Sequence, residues 1–247
     1  MNFSPRRIAA WTTWAPGLRT LRLEGPGLSF APGQFVRLAL PGEGEDRIAR
    51  SYSLSSAPGE PPETFLVEVP DGALTPRLFA LAPGDEVLLD TVPQGHFVLS
   101  RIPAASELWL VATGTGLGPY VSMLRADEVW ERFGTLVVVH GVRERAHLAY
   151  REELVARAKA LGRDLRWIPV VSREEPPPGG CAGRVTTALE SGALEAAAGL
   201  ALAPATSHVL LCGNPAMVAD LRPLLEARGL ERNRPRRPGH FTSEKYW

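Results

Sequence analysis

Only two of the 247 residues are cysteine, Cys181 and Cys212, and they lie far apart. They provide neither a disulfide framework nor the paired spacing of an iron–sulfur or structural zinc site. No metal site is expected. Net charge of one sign is lacking too: 27 basic residues balance 27 acidic ones, which leaves no overall footprint for nucleic acid and no pull toward an anionic membrane. No apolar run approaches the roughly 20 residues that cross a bilayer, and Met1 to Trp11 carries Arg6 and Arg7 with no apolar signal core behind them. The expectation is a cytoplasmic protein with no nucleic-acid or membrane partner. Lysine is nearly absent, almost every basic residue being arginine.

What is present divides the chain in two. With 45% hydrophobic and 22% charged residues it can bury a core, and its length allows two ordinary domains. In the first hundred residues, Pro16-Gly17, Gly25-Pro26-Gly27, Pro32-Gly33, Pro41-Gly42, Pro58-Gly59 and Pro83-Gly84 punctuate short β-rich runs at Arg19–Leu23, Gln34–Leu40, Arg50–Leu54, Thr64–Val69 and Glu86–Asp90. This spacing predicts an antiparallel β-barrel of five or six strands. One short helix interrupts it, with Thr75 as N-cap, Pro76 at the first helical position and Arg77 to Leu81 following; its N-terminus would suit an anion.

From about Leu108 apolar strands alternate with helical segments: Leu108–Ala112, Tyr120–Trp130, Leu136–Val139, Ala149–Leu161, Arg166–Val171, Val209–Cys212 and Ala216–Arg228. That alternation predicts an α/β doubly wound parallel sheet. The boundary is expected between Ile102 and Ser106, giving domains at 1–102 and 103–247.

The strand ending at Ala112 runs into Thr113-Gly114-Thr115-Gly116-Leu117-Gly118-Pro119, where small residues let backbone amides approach a diphosphate. Pro119 directly after the third glycine departs from the full dinucleotide fingerprint, and a plain tight turn is the alternative. The next strand leads through His140-Gly141-Val142 to Arg143, where an NAD-binding unit would present an acid to the ribose; arginine suits a 2′-phosphate. Ser172-Arg173 and Arg184 follow from the same side of the sheet and favour NADP, against the alternative that each arginine is merely solvated. In the barrel half, Arg50-Ser51-Tyr52-Ser53 offers a cation, an aromatic face and hydroxyls on one extended segment, either for an aromatic dinucleotide cofactor or for barrel packing.

These segments, with Gly72-Ala73-Leu74-Thr75-Pro76-Arg77, Val139-His140-Gly141-Val142-Arg143, Val171-Ser172-Arg173, Cys212-Gly213-Asn214-Pro215 and Glu244-Lys245-Tyr246-Trp247, together resemble bacterial ferredoxin (flavodoxin)–NADP+ reductase over nearly the whole chain. The resemblance implies a six-stranded FAD-binding barrel followed by an NADP(H)-binding α/β domain whose tail returns to the flavin. It implies electron transfer between NADPH and ferredoxin or flavodoxin. By the same resemblance, Arg50 would hold the FAD pyrophosphate, Tyr52 would pack on the isoalloxazine, and Ser51 and Ser53 would join them, Ser53 near flavin N5. Phe65, Ala73, Leu74 and Thr75 would complete the FAD site. Val142, Arg143, Ser172, Arg173, Arg184, Gly213, Asn214 and Pro215 would hold NADP(H), and Thr115 would face the nicotinamide nucleotide or the flavin. Tyr246 and Trp247 would contact the FAD. Ser53, Cys212 and Glu244 would be the catalytic residues, Cys212 near nicotinamide C4 and Glu244 in proton exchange.

The loop Glu175 to Cys181 departs from the family pattern, so no role is carried onto Cys181. The basic run with Arg232, Arg234, Arg236 and Arg237 is either solvated or attracts an acidic carrier. Nothing demands a dimer, so a monomer is expected. A flavin or quinone reductase, and a non-catalytic nucleotide-binding electron-transfer subunit, are the alternative functions.

Overall fold

The computed structural model describes residues 2–42 and 47–245, so Tyr246 and Trp247 lie outside the described residues. The chain divides into two compact units, Met1–Leu99 with Gly118–Ala126, and Ser100–Leu117 with Asp127–Trp247. The first unit therefore ends slightly before the expected boundary and takes in a helix from beyond it.

The first unit is a six-stranded antiparallel sheet of β1 (Phe3–Ala15), β2 (Leu18–Leu23), β3 (Phe35–Ala39), β4 (Arg50–Ser53), β5 (Glu63–Val67) and β6 (Glu86–Asp90), in the spatial order β4-β3-β6-β1-β2-β5. Strand β1 has no counterpart in the sequence reading. It serves two neighbours, pairing with β6 through Phe3–Arg7 and with β2 from Ile8 onward. A register shift between Ile8 and Ala10 falls where it changes partner, and a second lies between Thr13 and Ala15. The outer strands β4 and β5 approach at one antiparallel bridge, Leu54 to Thr64, backed by Ser55 N–H donating to Glu63 O (2.8 Å). Ile8, Leu21, Leu38, Leu54, Leu66 and Leu89 fill the interior.

Helix α1 spans Thr75–Phe79, with Leu74 rather than Thr75 at the N-cap position. The Thr75 hydroxyl does not cap: it accepts from Val69 N–H at 2.9 Å, because the preceding turn brings that donor closer.

The second unit is a six-stranded parallel sheet of β7 (Glu107–Thr113), β8 (Thr135–Val142), β9 (Asp164–Val171), β10 (Cys181–Ala182), β11 (Ser207–Gly213) and β12 (Phe241–Lys245), ordered β10-β9-β8-β7-β11-β12. Its central strands are apolar on both faces, as parallel strands covered by helices must be; every residue of β11 is buried. The expected helix at Tyr120–Trp130 is two, α2 (Gly118–Arg125) and α3 (Glu128–Arg132), broken at Ala126-Asp127. Helices α4 (Arg151–Leu161), α5 (Val185–Glu190), α6 (Ala193–Ala198) and α7 (Pro215–Glu226) complete the layers. Gly162 closes α4 in the left-handed conformation (φ 62°), and Asn214 opens α7 by accepting Ala216 N–H at 2.8 Å. No helix of the described residues is long and apolar enough to cross a membrane.

Candidate active site

From β7 the chain works outward through β8, β9 and β10, then returns to the other side of β7 with β11 and β12. The strand order therefore reverses at the carboxyl ends of β7 and β11, the place where open parallel sheets bind ligands. Two loops meet there closely. Asn214 N–H donates to Thr113 Oγ1 at 2.9 Å. A Cβ on Gly116 would lie 2.5 Å from Cys212 O, and one on Gly213 would lie 2.7 Å from Thr113 O. Gly213 also holds φ at +129°, which a side chain resists. The sequence motif Thr113 to Gly118 is thus more than a tight turn: its glycines and Gly213 let two backbones pack at the switch point. Thr115 is buried there, Pro215 starts α7, and Asn214 is exposed at its cap.

Arg143 follows β8, Ser172 and Arg173 follow β9, and Arg184 follows β10. Backbone hydrogen bonds join the first two loops, Ser172 N to Val142 O (3.1 Å) and Arg173 N to Arg143 O (2.9 Å). Val142 is buried, whereas Arg143, Ser172, Arg173 and Arg184 are exposed. Among the described residues none of these three arginines is paired with a carboxylate; the neighbouring Arg145 is, with Glu174. Unpaired guanidinium groups beside a glycine-lined switch point suit a phosphorylated dinucleotide.

Cys212 is the next-to-last residue of β11 and fully buried, and its register partner on β12 is Glu244. Burial pushes the Glu244 carboxyl up to about 7, and its Oε2 has no partner among the described residues. That carboxyl can hold or release a proton near neutral pH.

In the barrel unit, Arg50, Ser51, Tyr52 and Ser53 form the edge strand β4, and Phe65 lies on the other edge strand, β5. Arg50 and Ser51 are exposed, Tyr52 is half-buried, and Ser53 and Phe65 are buried. Burial raises the Tyr52 phenol to about 12 against the opposing pull of Arg50, so it stays neutral. Beside the Leu54–Thr64 bridge, Ser55 Oγ and Thr64 Oγ1 are buried without partners among the described residues. Ala73 is exposed, while Leu74 and Thr75 are buried at the start of α1.

Sequence reasoning missed how this edge is held. Helix α2 belongs to the barrel unit: Ser122 Oγ donates to Ser56 O (2.7 Å), and Arg125 donates to Ser55 O (3.0 Å) and to the Glu63 carboxylate (2.5 Å). The apolar run around Tyr120 marked a helix but not its destination.

An antiparallel barrel followed by a doubly wound sheet with an arginine-flanked switch point defines a nucleotide-dependent oxidoreductase, and residues 110–222 match the family profile of the oxidoreductase NAD-binding domain. The chain is 45% identical to the flavodoxin/ferredoxin–NADP reductase of Escherichia coli, over 97% of this chain and 100% of that one. It is 38% identical to ferredoxin–NADP reductase A of Sorangium cellulosum, over 95% and 86% respectively. A ferredoxin NADP+ reductase from Neisseria gonorrhoeae, solved with bound FAD and NADP, superposes with a TM-score of 0.91 at 31% identity, covering 98% of each chain. The chain belongs to the flavodoxin/ferredoxin–NADP reductase family.

Proposed function

We infer that this protein is an FAD-dependent oxidoreductase that passes electrons between NADPH and a one-electron carrier protein, ferredoxin or flavodoxin. The observation that carries the reading is the switch point where Thr113 and Gly116 meet Cys212 to Asn214, with three arginines that have no carboxylate partner among the described residues following the adjoining strands β8, β9 and β10. In a chain of this family, that arrangement suits NADP(H). When bound, the nicotinamide supplies a hydride, and the flavin supplies the change between two-electron and one-electron transfer.

The residues at hand fit both cofactors. Arg143, Arg173 and Arg184, with Ser172, would bind the 2′-phosphate and adenosine end, and Val142 would support that loop. Thr115, Gly213, Asn214 and Pro215 would line the nicotinamide end, where Cys212 packs. On the barrel edge, Arg50 would bind the FAD pyrophosphate. Tyr52 and Phe65 would supply aromatic surface, and Ser51, Ser53, Ala73, Leu74 and Thr75 would line the remainder. The neutral Tyr52 phenol suits packing on a ring, since it brings no charge. Ser53 would donate a hydrogen bond near the reactive edge of the flavin, and Glu244 would hold or release the proton that accompanies its reduction. Tyr246 and Trp247 are proposed as further aromatic contacts of the FAD. Residues 1–102 are thereby assigned to FAD and 103–247 to NADP(H), in a cytoplasmic monomer.

The test is carrier reduction by the FAD-loaded protein with NADPH as donor. The expected result is turnover that saturates with ferredoxin or flavodoxin at micromolar concentrations or below. Turnover only with free flavins or quinones would replace the carrier assignment by a small-molecule acceptor. FAD-loaded protein that does not oxidise NADPH would leave a non-catalytic subunit.

A further inference from the structure

His140 is fully buried near the carboxyl end of β8, and the chemistry above gives it no part. Its Nε2 lies 3.2 Å from the carbonyl oxygen of Gly114, the first residue of the turn that follows β7. A carbonyl oxygen only accepts, so Nε2 carries the hydrogen and donates. Burial pushes the ring's pKa down to about 4, so it is neutral at ordinary pH and remains in that tautomer. The ring is also held by Trp167, which it meets at 90° with centroids 6.3 Å apart.

Close approach of the two strands makes this bond reachable. Ala112 is the register partner of His140, and Thr113 that of Gly141. A Cβ on Gly141 would press on Thr113 Cγ2 at 3.1 Å and collide nearly head-on with the Val185 side chain, at 2.5 Å. Gly141 therefore leaves room for Val185 at the start of α5 and for Thr113 at the end of β7.

What the bond controls is the orientation of one peptide. Gly114 has φ of +53°, in the region that glycine enters easily, so its carbonyl has latitude to tilt unless something holds it. In a trans peptide the carbonyl and the following N–H point in opposite directions. Drawing Gly114 O toward the buried His140 ring therefore turns Thr115 N–H away from that ring.

We propose that His140 is a positioning residue for NADP(H): by holding the Gly114 carbonyl it fixes the Gly114–Thr115 peptide, so that Thr115 N–H faces an anionic oxygen of the dinucleotide. This rests on the reading of the switch point as the NADP(H) site.

The test is calorimetric titration of the FAD-loaded protein with NADP+, on wild type, His140→Gln and His140→Asn. Both variants bury a neutral amide, but only glutamine carries its N–H out to the Nε2 position; asparagine reaches the Nδ1 position, short of Gly114. Glutamine is expected to hold the affinity within about threefold of wild type, and asparagine to weaken it about tenfold, the factor for one net hydrogen bond. The KM for NADPH should rise in the asparagine variant with kcat nearly unchanged. Its preference for NADPH over NADH should stay as in wild type, because the arginines are untouched. Should the asparagine variant not accumulate, His140→Phe, which keeps a ring against Trp167 but donates nothing, provides the same contrast with glutamine. Equal affinities for the donor-bearing and donor-lacking variants, whether both normal or both weakened, would overturn the proposal. Wild-type protein that takes up FAD but does not bind NADP+ would remove the proposed function itself, and that result is seen before any variant is compared.

Discussion

Cys212 and Glu244 are register partners across the parallel pair β11–β12, so a buried thiol and a half-buried carboxyl sit on neighbouring strands at the carboxyl end of the sheet. Among the described residues Glu244 has no charged partner, and its burial raises its pKa from 4.5 to about 7. The folded state therefore binds its proton more tightly than the unfolded chain does. No stability is lost to Glu244 below pH 4.5; a penalty grows as pH rises toward 7 and is complete above it. Glu244→Gln should match wild type near pH 4 and be the more stable by at most about 3 kcal/mol near pH 8. Melting temperatures of both proteins across that range check this, and a gap that does not open with pH would contradict it.

The exposed arginines after β8 and β10 should discriminate between the two nicotinamide cofactors. Arg143→Ala or Arg184→Ala should weaken NADPH by about 1.5–3 kcal/mol for each lost charge-assisted bond and spare NADH. Comparison of kcat/KM for the two donors reads this directly. Equal losses with both would reject the 2′-phosphate assignment.

Gly213 combines a φ of +129° with close approach to Thr113, whereas Gly179, at φ +80°, faces open space. Alanine at either position meets backbone strain of about 1–3 kcal/mol. Only Gly213→Ala also pushes Thr113 away from Asn214. It should therefore cost clearly more stability than Gly179→Ala in denaturant titrations, and it alone should lower NADP+ affinity.

Arg125 and Glu63 are both mostly covered, with side-chain exposures of 18% and 16%, and Arg22 approaches the same carboxylate only at 3.7 Å. Arg125→Met should destabilise the barrel unit by about 2–3 kcal/mol, since it leaves a covered carboxylate with the weaker partner. It should also loosen FAD, because Arg125 anchors the segment that continues β4. A double-mutant cycle with Glu63→Gln should show coupling above roughly 0.5 kcal/mol; additive effects would contradict the pairing.

The two-domain order, an antiparallel barrel of five or six strands and the parallel sheet were legible because turn residues and apolar runs carry local signals. Strand β1 was not, since most of its residues are exposed to some degree and Ile8 is one of only two that are buried, so no alternation marks it. The short helices α5 and α6 were missed because each is little more than a turn or two long. Strand β12 depends on pairing with β11, a contact between distant parts of the chain. The site shows the same division. Arg143 could be picked from its place after a strand, whereas Cys212 and Gly213 came only from the resemblance to the family. The pairing of Cys212 with Glu244, the hold of Arg125 on Ser55 and Glu63, and the bond from His140 to Gly114 are tertiary, and spacing does not encode them.

The most direct measurement is the absorption spectrum of the purified, FAD-loaded chain during anaerobic titration with NADPH, with NADH in parallel. A yellow protein bleached by NADPH at far lower concentration than by NADH is the predicted result. A chain that takes up no FAD, or whose flavin responds to neither nucleotide, would contradict the account.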